Sequence, residues 1–196
     1  IERIRARAKA KQAFTKALER EFGSAIKQAG MSSRKLRAKL PDWVLRRDFG
    51  SGTESQRTAK MMEALSIVTK AFESYKQDLA HDKLRKTLKA LSKAKLQPQF
   101  DEQARGVLEG FGVGTGQFAD KEESQLRSAI SIIERLKELG IEDVNLPEPL
   151  VDVVLRIRKR GDPGKISVSD LSAQDAMDLT DLLRFVMHLN RISNRL

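Results

Sequence analysis

Cysteine is absent from this 196-residue chain. Disulfides, zinc–thiolate centres and thiol nucleophiles are therefore excluded. Aromatic residues supply only 5%, with one Trp and one Tyr, so a core has to be built mostly from Leu, Ile, Val and Ala. No spaced set of rings is available as a platform for stacking bases. No run approaches the roughly 18 apolar residues of a membrane span. The chain opens Ile1-Glu2-Arg3-Ile4-Arg5, with neither an initiator Met nor an apolar signal core, and its final helical pattern reaches the last residue. Both features lead us to expect a piece of a longer protein.

Histidine is scarce. His81 follows one helical pattern and precedes Asp82, where a capping or solvated role is expected; His188 lies in the last helical pattern, four residues before Ile192, and is expected at the core edge. The two are remote in sequence, and no serine sits in a Gly-x-Ser-x-Gly elbow. Metal ligands would have to be carboxylates, but Glu122-Glu123 and Glu142-Asp143 are adjacent pairs whose side chains diverge on a helix. No EF-hand spacing is present.

The stretch Leu108-Glu-Gly-Phe-Gly-Val-Gly-Thr-Gly-Gln-Phe118 places four of the chain's twelve glycines in seven residues. A dinucleotide fingerprint needs glycine at positions one, three and six, but the sixth position is Thr115 counted from Gly110 and Gln117 counted from Gly112. No Lys follows as a phosphate-binding Walker loop requires, and no strand precedes. The stretch reads as a poorly ordered hinge that binds no nucleotide, with Gly110 or Gly112 as the left-handed stop of the preceding helix.

What the chain does contain is helical periodicity. Residues 4–29 carry a stripe of Phe14, Leu18, Phe22, Ala25 and Ala29, ended by Gly30. Ser32 or Ser33 caps a short basic helix stopped by Pro41, and a further short helix, 42–47, holds the Trp. Thr53 and Gln56 form a capping box for a helix lined by Met61, Leu65, Val68, Phe72, Tyr75 and Leu79. Separate helices are expected over 82–94, with Leu84, Leu88 and Leu91, and over 100–111. A box of Asp120 with Glu123 opens a helix lined by Leu126, Ile130, Ile133 and Leu136 and closed by Gly140. Another helix covers 149–159. Ser172 with Asp175 opens the last, which carries Leu179, Leu182, Val186, Leu189 and Ile192. Only 165–168 suggests extended chain. The expected fold is all-α, an irregular bundle of about seven to nine helices. Residues 1–50 form basic N-terminal helices and 51–196 the bundle.

The net charge of +10 is unevenly placed. Residues 1–50 hold 14 Lys and Arg against 5 Asp and Glu, residues 80–95 hold 6 against 1, and residues 96–155 hold 5 against 12. Such an excess favours an anionic partner. Arg3, Arg5, Arg7, Lys9 and Lys11 spread around a helix, which suits a projecting or solvated linker helix. Lys83, Arg85, Lys86, Lys89 and Lys93, with Lys95, cover the surface opposite Leu84, Leu88 and Leu91 and could grip phosphates without reading bases. These positions are the expected nucleic-acid contacts; the plain alternative is a solvated face. Ile4, Ala8 and Phe14 give residues 1–29 too narrow an apolar face for a membrane-surface helix.

Two stretches carry a family resemblance. Residues 84–111, from Leu84-Arg-Lys-Thr-Leu through Leu96-Gln-Pro-Gln-Phe100 to Leu108-Glu-Gly-Phe111, read as a basic helix, an x-Pro-x-aromatic turn and a helix ending in Leu-x-x-Phe. Residues 171–196, Leu171-Ser-Ala-Gln-Asp through His188-Leu-Asn-Arg-Ile-Ser-Asn-Arg-Leu196, follow a pattern of helix end and Leu positions. In this order they resemble helical regions of the large polyvalent proteins of bacteriophages and integrative or conjugative elements. The glycine-rich joint and the acidic helix after it depart from that pattern. The resemblance implies a non-catalytic helical segment of a very long chain that enters the recipient bacterial cell with the DNA; we expect it to scaffold neighbouring domains and, from its basic faces, to touch nucleic acid non-specifically. It implies cytoplasmic residence after carriage in a virion. It brings no catalytic, metal or cofactor residues. The alternatives are a virion or DNA-ejection segment packing between copies, a host-derived protein-interaction domain, and an enzyme with an unrecognised site.

Overall fold

A computed structural model describes residues 51–97, 101–140, 148–161 and 165–192, with scattered positions between 2 and 44. The expected helices over 4–29, 33–40 and 42–47 fall largely outside the described residues, as do the side chains of Phe14, Leu18, Phe22, Trp43, Leu189 and Ile192. The described elements are α1 (Glu54–Ser92), α2 (Glu102–Gly110), α3 (Glu122–Leu139), α4 (Glu148–Arg160), a 3-10 turn (Val168–Asp170) and α5 (Ala173–Ile192). The all-helical expectation holds. The number of helices does not: among the described residues there are five α-helices rather than seven to nine.

Part of that difference comes from α1. The expected break near residues 80–82 is absent, and one helix runs for 39 residues. Neither Gly nor Pro occurs between Thr53 and Gln97, and the helix buries Phe72 before the expected break and Ala80, Leu84, Leu88 and Leu91 across and after it, with Tyr75 and Leu79 half-buried between. Asp82, which resembles an N-cap, lies inside the helix. At the true start Thr53 and Gln56 cap reciprocally. The Thr53 amide donates to Gln56 Oε1 at 3.1 Å, and the Gln56 amide donates to Thr53 Oγ1 at 3.3 Å.

The chain divides into two compact units, Ile1–Lys76 and Gln77–Leu196. In the first, the buried apolar residues among those described are Leu36, Leu40, Val44, Ala64, Val68 and Phe72. Lys39 Nζ stands 5.6 Å from the centre of the Tyr75 ring, a cation–π contact. Lys60 Nζ donates to the Ser51 carbonyl at 3.1 Å, tying the loop to the first turns of α1.

The second unit has one contiguous apolar core. Ala80, Leu84, Leu88 and Leu91 contribute from the end of α1, Ala104 and Leu108 from α2, Val153, Val154 and Ile157 from α4, and Ala176, Leu179, Leu182, Leu183 and Val186 from α5. α3 supplies the broadest face, with Leu126, Ala129, Ile130, Ile132, Ile133 and Leu136 all buried. Those positions span about 160° of the helix at 3.6 residues per turn, so α3 is sheltered on nearly half its circumference. Gly140 closes it at φ 57°, the expected left-handed cap.

The glycine stretch is a built turn, not a loose hinge. Val113 N donates to Leu108 O at 2.9 Å and Gly112 N to Glu109 O at 2.8 Å, the paired bonds of a Schellman stop with Gly112 in the left-handed position. Val113 and Phe118 are buried in the core with Leu108. Two other expectations also change. Lys121, not Asp120, is the N-cap of α3, and it makes no side-chain capping bond. Residues 165–168 form no strand: Asp170 accepts from the Ser167 amide at 2.8 Å and from its hydroxyl at 2.9 Å, which curls Val168–Asp170 into the 3-10 turn.

Candidate nucleic-acid interface

The cations of the second unit sort by chemistry. Six arginines pair with carboxylates: Arg85, Arg105, Arg135, Arg156, Arg158 and Arg160. Arg85 Nε donates to Glu122 at 2.7 Å and Nη2 to Ser169 Oγ at 2.8 Å, with Asp82 at 3.7 Å. Arg105 pairs with Glu109 and Arg135 with Glu138 along their own helices. Arg158 pairs with Glu134 across α3 and α4, and that hydrogen bond raises the pKa of its guanidinium. Lys83, Lys86, Lys89 and Lys93, by contrast, have no ion pair or side-chain hydrogen bond among the described residues.

Helix geometry gathers most of these lysines. Projected at 100° per residue, Lys86, Lys89 and, one residue past the end of α1, Lys93 fall within about 60° of its circumference, on the side away from Leu84, Leu88 and Leu91. All three are exposed, and Lys83, half-buried, stands on the flank. Lys86–Lys89 and Lys89–Lys93 are like-charge neighbours at i,i+3 and i,i+4, each of which costs a helix about 0.2–0.5 kcal/mol. The negative end of the helix dipole offsets part of that for Lys89, which lies in the last turn. Of the N-terminal contact candidates, Arg5 and Lys9 are exposed on helical backbone; Arg3, Arg7 and Lys11 lie outside the described residues.

The structure adds a cluster that the sequence did not announce. Asp175 in the first turn of α5 is 2% exposed. Arg156 Nε donates to its Oδ1 at 2.9 Å, and Arg156 Nη2 reaches Asp178 at 2.7 Å. Arg160 Nη1 lies 3.0 Å from Asp175 Oδ2, an ion pair outside hydrogen-bond geometry. The hydrogen bond to Asp175 raises the Arg156 pKa, ahead of the desolvation that opposes it. Ser172 Oγ accepts from the Asp175 amide at 3.1 Å, so half of the expected capping box forms while the carboxylate turns to the arginines. The signal was present as Arg156 and Arg160 one turn apart and Asp175 and Asp178 one turn apart, but only packing of α4 on α5 faces them together.

The histidines also differ from expectation. His81 is 6% exposed, and its Nε2 lies 2.8 Å from the Leu171 carbonyl, which requires the Nε2–H form. His188 is exposed beyond the core edge. Among the described residues no three His, Asp or Glu side chains come together as a metal site, and no helix is long and apolar enough to cross a membrane.

The second unit thus defines a class: a small all-α domain with arginine-clasped helices and a lysine-bearing face. Comparison with known proteins finds no matching family model, no matching curated protein and no matching solved structure.

Proposed function

We propose that this chain is a non-catalytic helical module that contacts nucleic acid through the phosphate backbone, by way of the lysine face of α1. The observation that carries the reading is a difference among the cations: six arginines of the second unit, Arg85, Arg105, Arg135, Arg156, Arg158 and Arg160, pair with carboxylates, while Lys83, Lys86, Lys89 and Lys93, at the end of α1 and just past it, have no partner among the described residues. Lysine is a flexible point charge suited to a polyanion, whereas bidentate geometry belongs to arginine. The residues that resemble large polyvalent phage and mobile-element proteins support placing the module in such a chain, where it would scaffold its neighbours in the recipient cell.

Binding of this kind is sequence-blind and salt-sensitive. Each phosphate neutralised contributes about −0.9 to the slope of log affinity against log salt on duplex DNA. Lys86→Glu with Lys89→Glu should weaken binding to unrelated sequences alike and flatten that slope by about two contacts. A gel-shift series at two salt concentrations reads both effects. Absence of binding at low salt, or an unchanged slope in the double variant, removes the reading.

A further inference from the structure

Lys89 and Lys93 also stand at a recess of about 410 Å3 whose other wall is the turn entering α3, with Gly116, Phe118, Ala119 and Asp120. Small-ligand sites run from about 300 to 1,000 Å3. The two lysines are one helical turn apart on the same face and carry no ion pair. Across from them, the backbone amides of Gly116, Phe118 and Ala119 donate to no backbone carbonyl among the described residues. A Cβ placed on Gly116 would meet nothing within 4 Å, so the turn presents bare backbone there. α3 begins without a side-chain cap at Lys121, leaving the amides of its first turn available to an acceptor. Of the two carboxylates in the lining, Glu122 is held by Arg85 at 2.7 Å, and Asp120 alone is uncompensated.

We propose that this recess holds one phosphate group between the ammonium groups of Lys89 and Lys93 and the open amides of the turn that leads into α3. It deepens the nucleic-acid reading, on which it rests for the source of the phosphate: a strand drawn along the lysine face would seat one of its backbone phosphates here. A free phosphate monoester offers the same chemistry. The failed nucleotide-loop spacing is no obstacle, since nothing here reads a base and the cations come from a neighbouring helix.

The test is an amide-shift titration of the full chain at low salt with three probes: inorganic phosphate, 5′-deoxyadenosine monophosphate and a short single-stranded oligonucleotide. Saturable shifts are expected at Gly116, Phe118 and Glu122 with every probe. Lys89→Ala with Lys93→Ala should weaken them at least about tenfold, since each charge-assisted hydrogen bond lost is worth about that much or more. Asp120→Asn should tighten them. Lys83→Ala with Lys86→Ala should leave the phosphate titration unchanged while lowering oligonucleotide affinity. Dispersed amide spectra identify variants that remain folded. If no probe moves these amides saturably, or the Lys89/Lys93 variant titrates as wild type, the recess is not a phosphate site. Salt-dependent oligonucleotide binding that survives that result leaves the surface reading standing without the recess. Shifts with inorganic phosphate but no oligonucleotide binding keep the recess and overturn the nucleic-acid reading.

Discussion

Asp175 tests how much a single buried carboxylate does in this core. It is almost fully enclosed, while its partners Arg156 and Arg160 are 41% and 50% exposed, so water can recover the guanidinium groups when the acid is lost. Asp175→Ala should therefore cost about 1.5–3 kcal/mol, the range for hydrogen bonds to charged groups, rather than the 3–5 kcal/mol of a fully buried pair. Arg160→Ala, on the exposed side, should cost at most about 1 kcal/mol. Urea unfolding at constant slope measures both, and equal costs for the two would contradict the burial argument. Apolar positions set the scale for comparison. Leu182 and Ile133 are fully buried, and truncating either to Ala should cost about 2–5 kcal/mol. His188→Gln, at an exposed position, should stay within about 0.5 kcal/mol. His81 is the instructive miss. Its neighbours Ala80 and Asp82 read as a helix boundary, yet its ring is buried and donates to Leu171 O across 90 residues of sequence, a separation that no local pattern encodes.

The capping signals were legible where the local backbone alone decides them and misleading where a distant side chain competes. Thr53 with Gln56 and the Gly140 stop came through as read. The carboxylate of Asp175 turns to Arg156, and the N-cap of α3 falls on Lys121 rather than Asp120, one residue past the side chain that reads as a cap. The glycine turn makes the same point, since flexibility was inferred from composition while the actual constraint is steric. A Cβ on Gly112 would lie 2.5 Å from the Gln117 carbonyl carbon, whereas one on Gly116 meets open space; both have left-handed φ, 84° and 77°. Gly116→Ala should thus cost about 1–2 kcal/mol for backbone conformation alone, and Gly112→Ala clearly more, as thermal unfolding would register; equal costs would mean that the turn is loose after all. At the 3-10 turn, the amide and then the hydroxyl of Ser167 hold the Asp170 carboxyl below its ordinary value of 3.8. A depressed folded pKa makes the cap's contribution complete above 3.8 and lost as pH falls through the lower folded value. The stability gap between wild type and Asp170→Asn should be constant near neutrality and narrow in acid; a gap that persists in acid would rule out the ionised carboxylate as its source.

At the scale of the molecule, the core itself says which part of the chain can stand alone. Every member of the large apolar cluster lies between Ala80 and Val186, inside the unit that begins at Gln77. The cross-element arginine pairs described above lie there too, Arg85–Glu122, Arg158–Glu134, Arg156–Asp175, Arg156–Asp178 and Arg160–Asp175. A chain starting at Gln77 would cut α1 in mid-helix, but it would place Asp78 and Asp82 in and just after the new first turn, where the helix dipole favours acidic side chains. It would keep Ala80, Leu84, Leu88 and Leu91 in that core. We therefore expect residues 77–196 to fold without the first 76, with strongly helical circular dichroism and a single cooperative transition in which far-ultraviolet and near-ultraviolet probes coincide. The same fragment retains Lys83, Lys86, Lys89 and Lys93, so it should bind DNA with the part of the salt slope that those lysines supply and lose the part owed to residues such as Arg5 and Lys9. A broad, probe-dependent transition would show that this core depends on residues before Gln77. A fragment that folds cooperatively yet binds no DNA at low salt would take the nucleic-acid contact away from the lysine face of α1.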